Sequence, residues 1–192
     1  MGVKADRALA TRARLVAAAR ELFARDGYGA TGTEAILAVA GVTRGALYHH
    51  FADKQALFAA VCEDLHGEME GVIEADADAH ASAFDGVVAG CLAFLDFLSR
   101  PEARRILILD APSVLGWEAW NEMDRRHGFG LLVQGVSEAV AEGSLAGEPE
   151  TLAVMINGAL NYGVVWAAQD GDGEGLARLK TGFINMMDRL RM

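Results

Sequence analysis

Residues 31–54 read TGTEAILAVAGVTRGALYHHFADK, and this stretch decides the fold. Apolar residues at helical spacing, then a glycine, then a second short run describe two short helices joined by a tight turn. The first helix spans Thr33 to Ala40 with Ile36, Val39 and Ala40 turned inward. Gly41 supplies the positive φ that such a turn needs, and Val42 fills the corner. Thr43 stands where an N-cap is wanted, its hydroxyl placed to satisfy free N–H groups at the start of a helix from Arg44 to His50. Leu47 and Phe51, four residues apart, share one face and pack inward, which leaves Arg44, Gly45, Tyr48 and His49 facing out.

An outward face that is cationic, polar and aromatic suits a nucleic-acid groove. Gly45 lacks a Cβ and lets the backbone approach a duplex, while Thr43, Tyr48, His50 and Lys54 can donate to phosphate oxygens. Arg44 is the candidate for a base edge, because guanidinium matches the O6/N7 pair of guanine. A helix-glycine-helix pattern alone also fits a surface turn in an unrelated helical protein.

The residues around the turn are more particular. Leu22-Phe23, Gly27-Tyr28, Thr31, Ile36, Ala40-Gly41-Val42, Gly45, Leu47-Tyr48, His50-Phe51, Lys54 and Leu57 recur at fixed spacing. On these residues the chain, from about Thr11 to Val61, resembles the tetracycline-repressor (TetR) family of transcriptional regulators. The resemblance implies a homodimer that binds double-stranded operator DNA and is released by a small molecule, with Thr31 and Thr33 joining the DNA-facing set. Two positions depart from the family pattern. Gly32-Thr33 stands where Ser or Thr followed by an aliphatic residue is usual, so Thr33 is left to make the phosphate contact, and Leu37 replaces a usual alanine.

A chain of 192 residues that is 52% hydrophobic can bury a substantial core and is not disordered. Its N-terminus has no signal-peptide core and no myristoylation pattern. The most apolar segment, Leu152 to Ala168, is interrupted by Asn157 and Asn161 and falls short of the roughly 20 residues that span a bilayer. A cytoplasmic protein without membrane partners is expected. Cys62 and Cys91 lie in helical patterns with no CxxC, which excludes a disulfide framework and fits small buried hydrophobes. Net charge is −10, yet residues 1–54 carry +3 and residues 55–192 carry −13. Phosphate attraction is thus concentrated at the N-terminal end.

Helical periodicity runs from end to end, with no strand pattern. Leu15, Ala18, Ala19, Leu22 and Phe23 define a first helix that stops at Asp26-Gly27. Lys4, Arg7, Arg12 and Arg14 precede it or open it, as an arm that touches DNA or as a tail that frays into solvent. Asp53 caps a helix over residues 54–79, close to ~40 Å long, with Leu57, Phe58, Val61, Leu65, Met69, Val72 and Ile73 in one stripe. Phe84 to Leu98 is apolar on nearly every side and must be enclosed. Pro101 opens a short helix that Asp110-Ala-Pro112 ends, Trp117 to Glu142 forms one helix or two, and Gly143 stops it. The last helices cover about 151–169 and 174–191, separated by the DGDGEG loop at 170–175.

The fold expected is all-α: a three-helix helix-turn-helix DNA-binding domain over 1–54, then a helical effector-binding and dimerisation domain over 55–192, with helix 54–79 connecting them. The last two helices keep broad apolar faces and small residues, Gly158, Ala159 and Gly163, so two copies can pair through them; packing within one chain is the alternative. Walls for an effector cavity are Phe94, Phe97, Trp117, Trp120, Met123, Tyr162 and Trp166, with Asn157, Asn161 and His127 as polar contacts. Glu63, His66 and Glu70, and Asp76 and His80, have metal-compatible spacing but read better as a solvated stripe, so no metal and no cofactor are expected. Two other readings remain: a DNA-binding factor of this fold without an effector, and a helical enzyme. The second has no GxSxG, P-loop, HExxH or dinucleotide pattern behind it.

Overall fold

The computed structural model describes residues 3–170 and 174–192, with residues 3 and 4 described by backbone alone. Part of the DGDGEG loop expected at 170–175 therefore lies outside the described residues. Among the described residues the chain is helical and has no strand. They form two compact units. One comprises the chain up to Leu65 with Arg105–Trp120, and the other His66–Arg104 with Asn121–Met192.

The first unit is built on α1 (Val3–Asp26), α2 (Thr33–Ala40), α3 (Arg44–His50) and the start of α4 (Lys54–Ala77). Leu15, Ala18, Ala19, Leu22 and Phe23 are buried along one face of α1, as their spacing requires. Residues ahead of Leu15 are helical from Val3, so Arg7, Arg12 and Arg14 ride on exposed helix rather than on an arm. The rings of Phe23, Tyr28 and Phe58 pack with centroids 5.1 to 5.6 Å apart and tie α1 and the turn after it to α4. Each such pair adds about 0.5–1.5 kcal/mol beyond area burial.

In α2 the inward residues are Ile36, Leu37 and Ala40, while Val39 is exposed. At 3.6 residues per turn, Ile36, Ala40 and Leu37 share an arc about 100° wide and Val39 falls about 60° outside it. Leu37, the departure from the family pattern, is what fills that arc. Asp53 caps α4 through a 2.7 Å bond from the Ala56 N–H. The α4 stripe is buried at Leu57, Phe58, Val61, Leu65, Met69 and Ile73 but not at Val72, and the helix ends at Ala77 rather than 79.

Pro112 does not end a helix. α6 (Pro101–Ala103) leads into a π-helical stretch, Arg104–Asp110, which passes into α7 (Ala111–Leu115). Pro112 sits in the first turn of α7, where a missing N–H costs little, and Gly116, at φ 83°, terminates the run. The Trp117–Glu142 segment is two helices, α8 (Trp117–Arg126) and α9 (Gly128–Ala141), broken at His127.

In the second unit α5 (Ala83–Ser99) is the enclosed helix, packed against α9, α10 (Pro149–Ala168) and α11 (Gly175–Leu190). Phe84, Val87, Cys91, Phe94, Leu95, Phe97 and Leu98 are buried, whereas Val88 and Leu92 are half-buried. Each fully buried leucine or phenylalanine contributes about 1.5–3 kcal/mol relative to exposure. α10 starts at Pro149 and has 20 residues. By length and composition it is therefore long and apolar enough to cross a membrane, contrary to the shorter segment read from Leu152. Within the fold one of its faces packs on neighbouring helices and the other stays exposed.

Candidate functional site

The turn between α2 and α3 has the backbone that Gly41 allows, φ 63° and ψ 40°, with its N–H bonded to the Leu37 carbonyl. Thr43 Oγ1 accepts the Ala46 N–H at 3.3 Å and starts α3. Leu47 is the buried residue of that helix, and Phe51 is buried just beyond it under the Arg12 guanidinium, 5.4 Å from the ring centroid. Arg44, Gly45, Tyr48 and His49 are exposed together, and His50 is half-buried with its ring 5.1 Å from that of His49. A Cβ at Gly45 would meet Thr43 Oγ1 at 4.0 Å and nothing nearer, so packing within the chain does not demand glycine there. The Arg44 guanidinium reaches Glu34 at 3.0 Å. Both are exposed, so the pair contributes little to stability, and a phosphate or base could displace Glu34 at small cost.

Two residues expected on this surface are not on it. Thr31 is buried, with its hydroxyl 2.7 Å from the Gly27 carbonyl and 3.2 Å from that of Leu22. Lys54 donates to the carbonyls of Tyr28 at 2.9 Å and Thr31 at 3.0 Å, and its ammonium lies 4.0 Å from the Tyr28 ring centroid. Both satisfy carbonyls of the loop between α1 and α2, where helical bonding has stopped and acceptors need donors. Thr33 is half-buried at the start of α2.

The second unit has a partly open cavity of about 640 Å³ bordered by the end of α4, α5, α9 and α10. Of the wall residues expected from sequence, Phe94 and Asn157 line it. The sequence reading missed Ile73, Val87, Cys91, Leu131 and Leu160, which look like any core residue at helical spacing. Phe97 is buried under the Arg100 guanidinium, 3.5 Å from its ring centroid, and Met123 is buried in the core. Trp120 belongs to the other unit, its indole N–H donating to the Leu107 carbonyl at 2.9 Å. Trp117, Tyr162 and Trp166 are exposed, at 68%, 74% and 43%. On α10 the reason is angular: Met155, Tyr162 and Trp166 fall about 140–180° around the helix from Asn157.

Asn157 is held by a polar chain. Its amide donates to Asp124 at 3.0 Å and its oxygen accepts from Asn161 at 3.3 Å. Burial pushes the Asp124 carboxyl above its ordinary range, partly offset by the Asn157 bond and by His127. His127 Nδ1 lies 2.7 Å from Glu70 Oε2, and its ring stacks on buried His66 with centroids 5.4 Å apart. Glu70, one of the residues at metal-compatible spacing, is thus engaged with His127; among the described residues no three His, Cys, Asp or Glu side chains are grouped to hold a metal. Burial raises both thiols, that of Cys91 to about 12, so each stays protonated and unreactive at neutral pH.

Residues 15–61 match the model for bacterial regulatory proteins of the tetR family, and residues 84–190, more than half the chain, match that for the tetracyclin repressor-like C-terminal domain. The chain belongs to the TetR family. A TetR-family transcriptional regulator from Pectobacterium atrosepticum is 33% identical, with a TM-score of 0.80 and 97% of each chain covered. The TetC protein of transposon Tn10 from Escherichia coli is 28% identical over 147 residues, 75% of this chain and 73% of its own. The transcriptional repressor Rv1474c of Mycobacterium tuberculosis is 32% identical over 119 residues, 60% of each. As a TetR-family member this chain is a DNA-binding transcriptional regulator.

Proposed function

We propose that this protein is a homodimeric repressor that grips a palindromic operator with two copies of α3 and releases it when a small molecule fills the cavity of the second unit. The observation that carries the reading is α3 itself. One buried leucine anchors it, and Arg44, Gly45, Tyr48 and His49 are presented together to solvent. Tyr48, His49, His50, Thr33 and Thr43 serve phosphates, and Arg44 reads a base edge. Residues 1–54 act as the reading domain and 55–192 as the effector and dimerisation domain. α4, which supplies residues to both compact units, carries the signal between them.

Dimerisation is assigned to α10 and α11. Val154, Met155, Tyr162 and Trp166 on the first, and Ile184, Met186 and Leu190 on the second, are large apolar side chains left exposed. A Cβ at Gly158 would meet nothing within 4 Å, so a second copy could approach closely there. Pairing across a two-fold axis buries these residues in a four-helix arrangement and sets the two α3 helices for half-sites about 34 Å apart. The cavity supports effector control over a ligand-free architectural role. No bond chemistry is needed, and the protein works in the cytoplasm beside the DNA it reads.

The test is footprinting on the DNA flanking the protein's own gene, followed by anisotropy titrations of the protected site. Protection of an inverted repeat, lost in Tyr48→Ala and altered in base preference in Arg44→Ala, is expected. Wild-type binding by both variants would remove α3 from the interface.

A further inference from the structure

The chemistry of the ligand can be read from the cavity wall, granted that this cavity is the effector site. Its floor is apolar, formed by Val87, Phe94, Leu131 and Leu160, with Asn157 as a neutral polar contact. Its rim is lopsided in charge. Glu74 and Asp78 at the end of α4 and Glu138 and Glu142 at the end of α9 border it. Among the described lining residues there is no lysine or arginine, and His80 is the titratable nitrogen.

Two of these carboxylates are partly engaged, Glu142 by the Ala83 N–H at 3.0 Å and Glu138 by the Gln134 amide at 3.0 Å. Glu74 and Asp78 lie four residues apart and exposed, a spacing at which like charges repel. They also sit at the C-terminal end of α4, the negative end of the helix dipole, whose last turn holds no basic residue. A carboxylate or phosphate ligand would meet repulsion from both sources. A positive group at the rim would relieve both, while an apolar body filled the floor.

We propose that the cavity takes an amphipathic organic cation, an amine or onium group carried on an apolar body. About 640 Å³ is the size of sites that hold drug-sized molecules.

Tetraphenylphosphonium and tetraphenylborate are nearly equal in size and shape and opposite in charge, so calorimetric titration of the full-length protein with each isolates the sign. The phosphonium should bind at least about tenfold more tightly than the borate. Glu74→Gln/Asp78→Asn, at exposed positions, should weaken the phosphonium about tenfold and leave the borate no weaker. Leu132→Trp, which fills part of the cavity, should abolish binding of the phosphonium. Absence of phosphonium binding, equal affinity for the two ions, indifference to the double substitution, or full binding by a folded Leu132→Trp protein would each overturn the proposal. Phosphonium binding that passes all these checks but leaves operator affinity unchanged would support the ligand class and overturn only the effector reading.

Discussion

Lys54→Met keeps most of the side chain's apolar length and removes its charge, which separates a structural role from a DNA-binding one. The ammonium donates to the carbonyls of Tyr28 and Thr31 at 2.9 and 3.0 Å and lies over the Tyr28 ring. A hydrogen bond from a charged donor is worth about 1.5–3 kcal/mol, and the ring contact adds about 0.5–1 kcal/mol. Lys54 is half-buried, so water can replace part of this, and a net loss of about 2–3 kcal/mol is expected. For a chain of this size that lowers Tm by roughly 5–10 °C, readable by circular dichroism. Operator affinity, measured by anisotropy well below Tm across a salt series, should keep its log–log slope. Had the ammonium faced phosphate, a dimer would lose two contacts and the slope would fall by about 2. An unchanged Tm together with that loss of slope would refute the assignment.

Tyr48→Ala should weaken binding to all DNA sequences alike, whereas Arg44→Ala should relax preference at one base position by about 1–3 kcal/mol, as competition with single-base operator variants will tell. Tyr162→Glu places a charge on the exposed face of α10, and sedimentation should find a folded monomer with poor affinity for the palindrome; a dimer would move the interface elsewhere. Because burial raises the Asp124 carboxyl, the native state binds more protons than the unfolded chain between the two pKa values, and stability falls as pH rises through that interval from the ordinary 3.8 upward. Asp124→Asn keeps an oxygen for the Asn157 amide and should flatten this part of the Tm–pH curve; an unaltered curve would count against the burial argument.

Elements that depend on neighbours in sequence were legible. The cap at Thr43, the left-handed Gly41, the paired inward residues Leu47 and Phe51, and the buried face of α1 follow from spacing and backbone chemistry alone. Thr31 and Lys54 were not, because both are polar residues close in sequence to the exposed helix α3. Only the fold brings them against the Gly27, Tyr28 and Thr31 carbonyls. Val39 and Val72 looked like core because valine is apolar, but Val39 falls outside the arc that Ile36, Leu37 and Ala40 fill, and Val72 is exposed beside buried Met69 and Ile73 towards the C-terminal end of α4. The aromatic residues misled most about the cavity. Trp117, Tyr162 and Trp166 turn outward, while among the described residues Phe94 is the one aromatic in a wall of aliphatic, small and polar residues, and side-chain size does not distinguish a lining position from a surface one.

Of the seven residues of α3, Leu47 alone is buried, and Gly45 has open space where a side chain would go. Four adjoining positions can therefore be rewritten with scant penalty to folding. Under the role proposed for α3, such a module can drift toward new target sites while the rest of the fold is kept, so closely related chains could come to govern different genes.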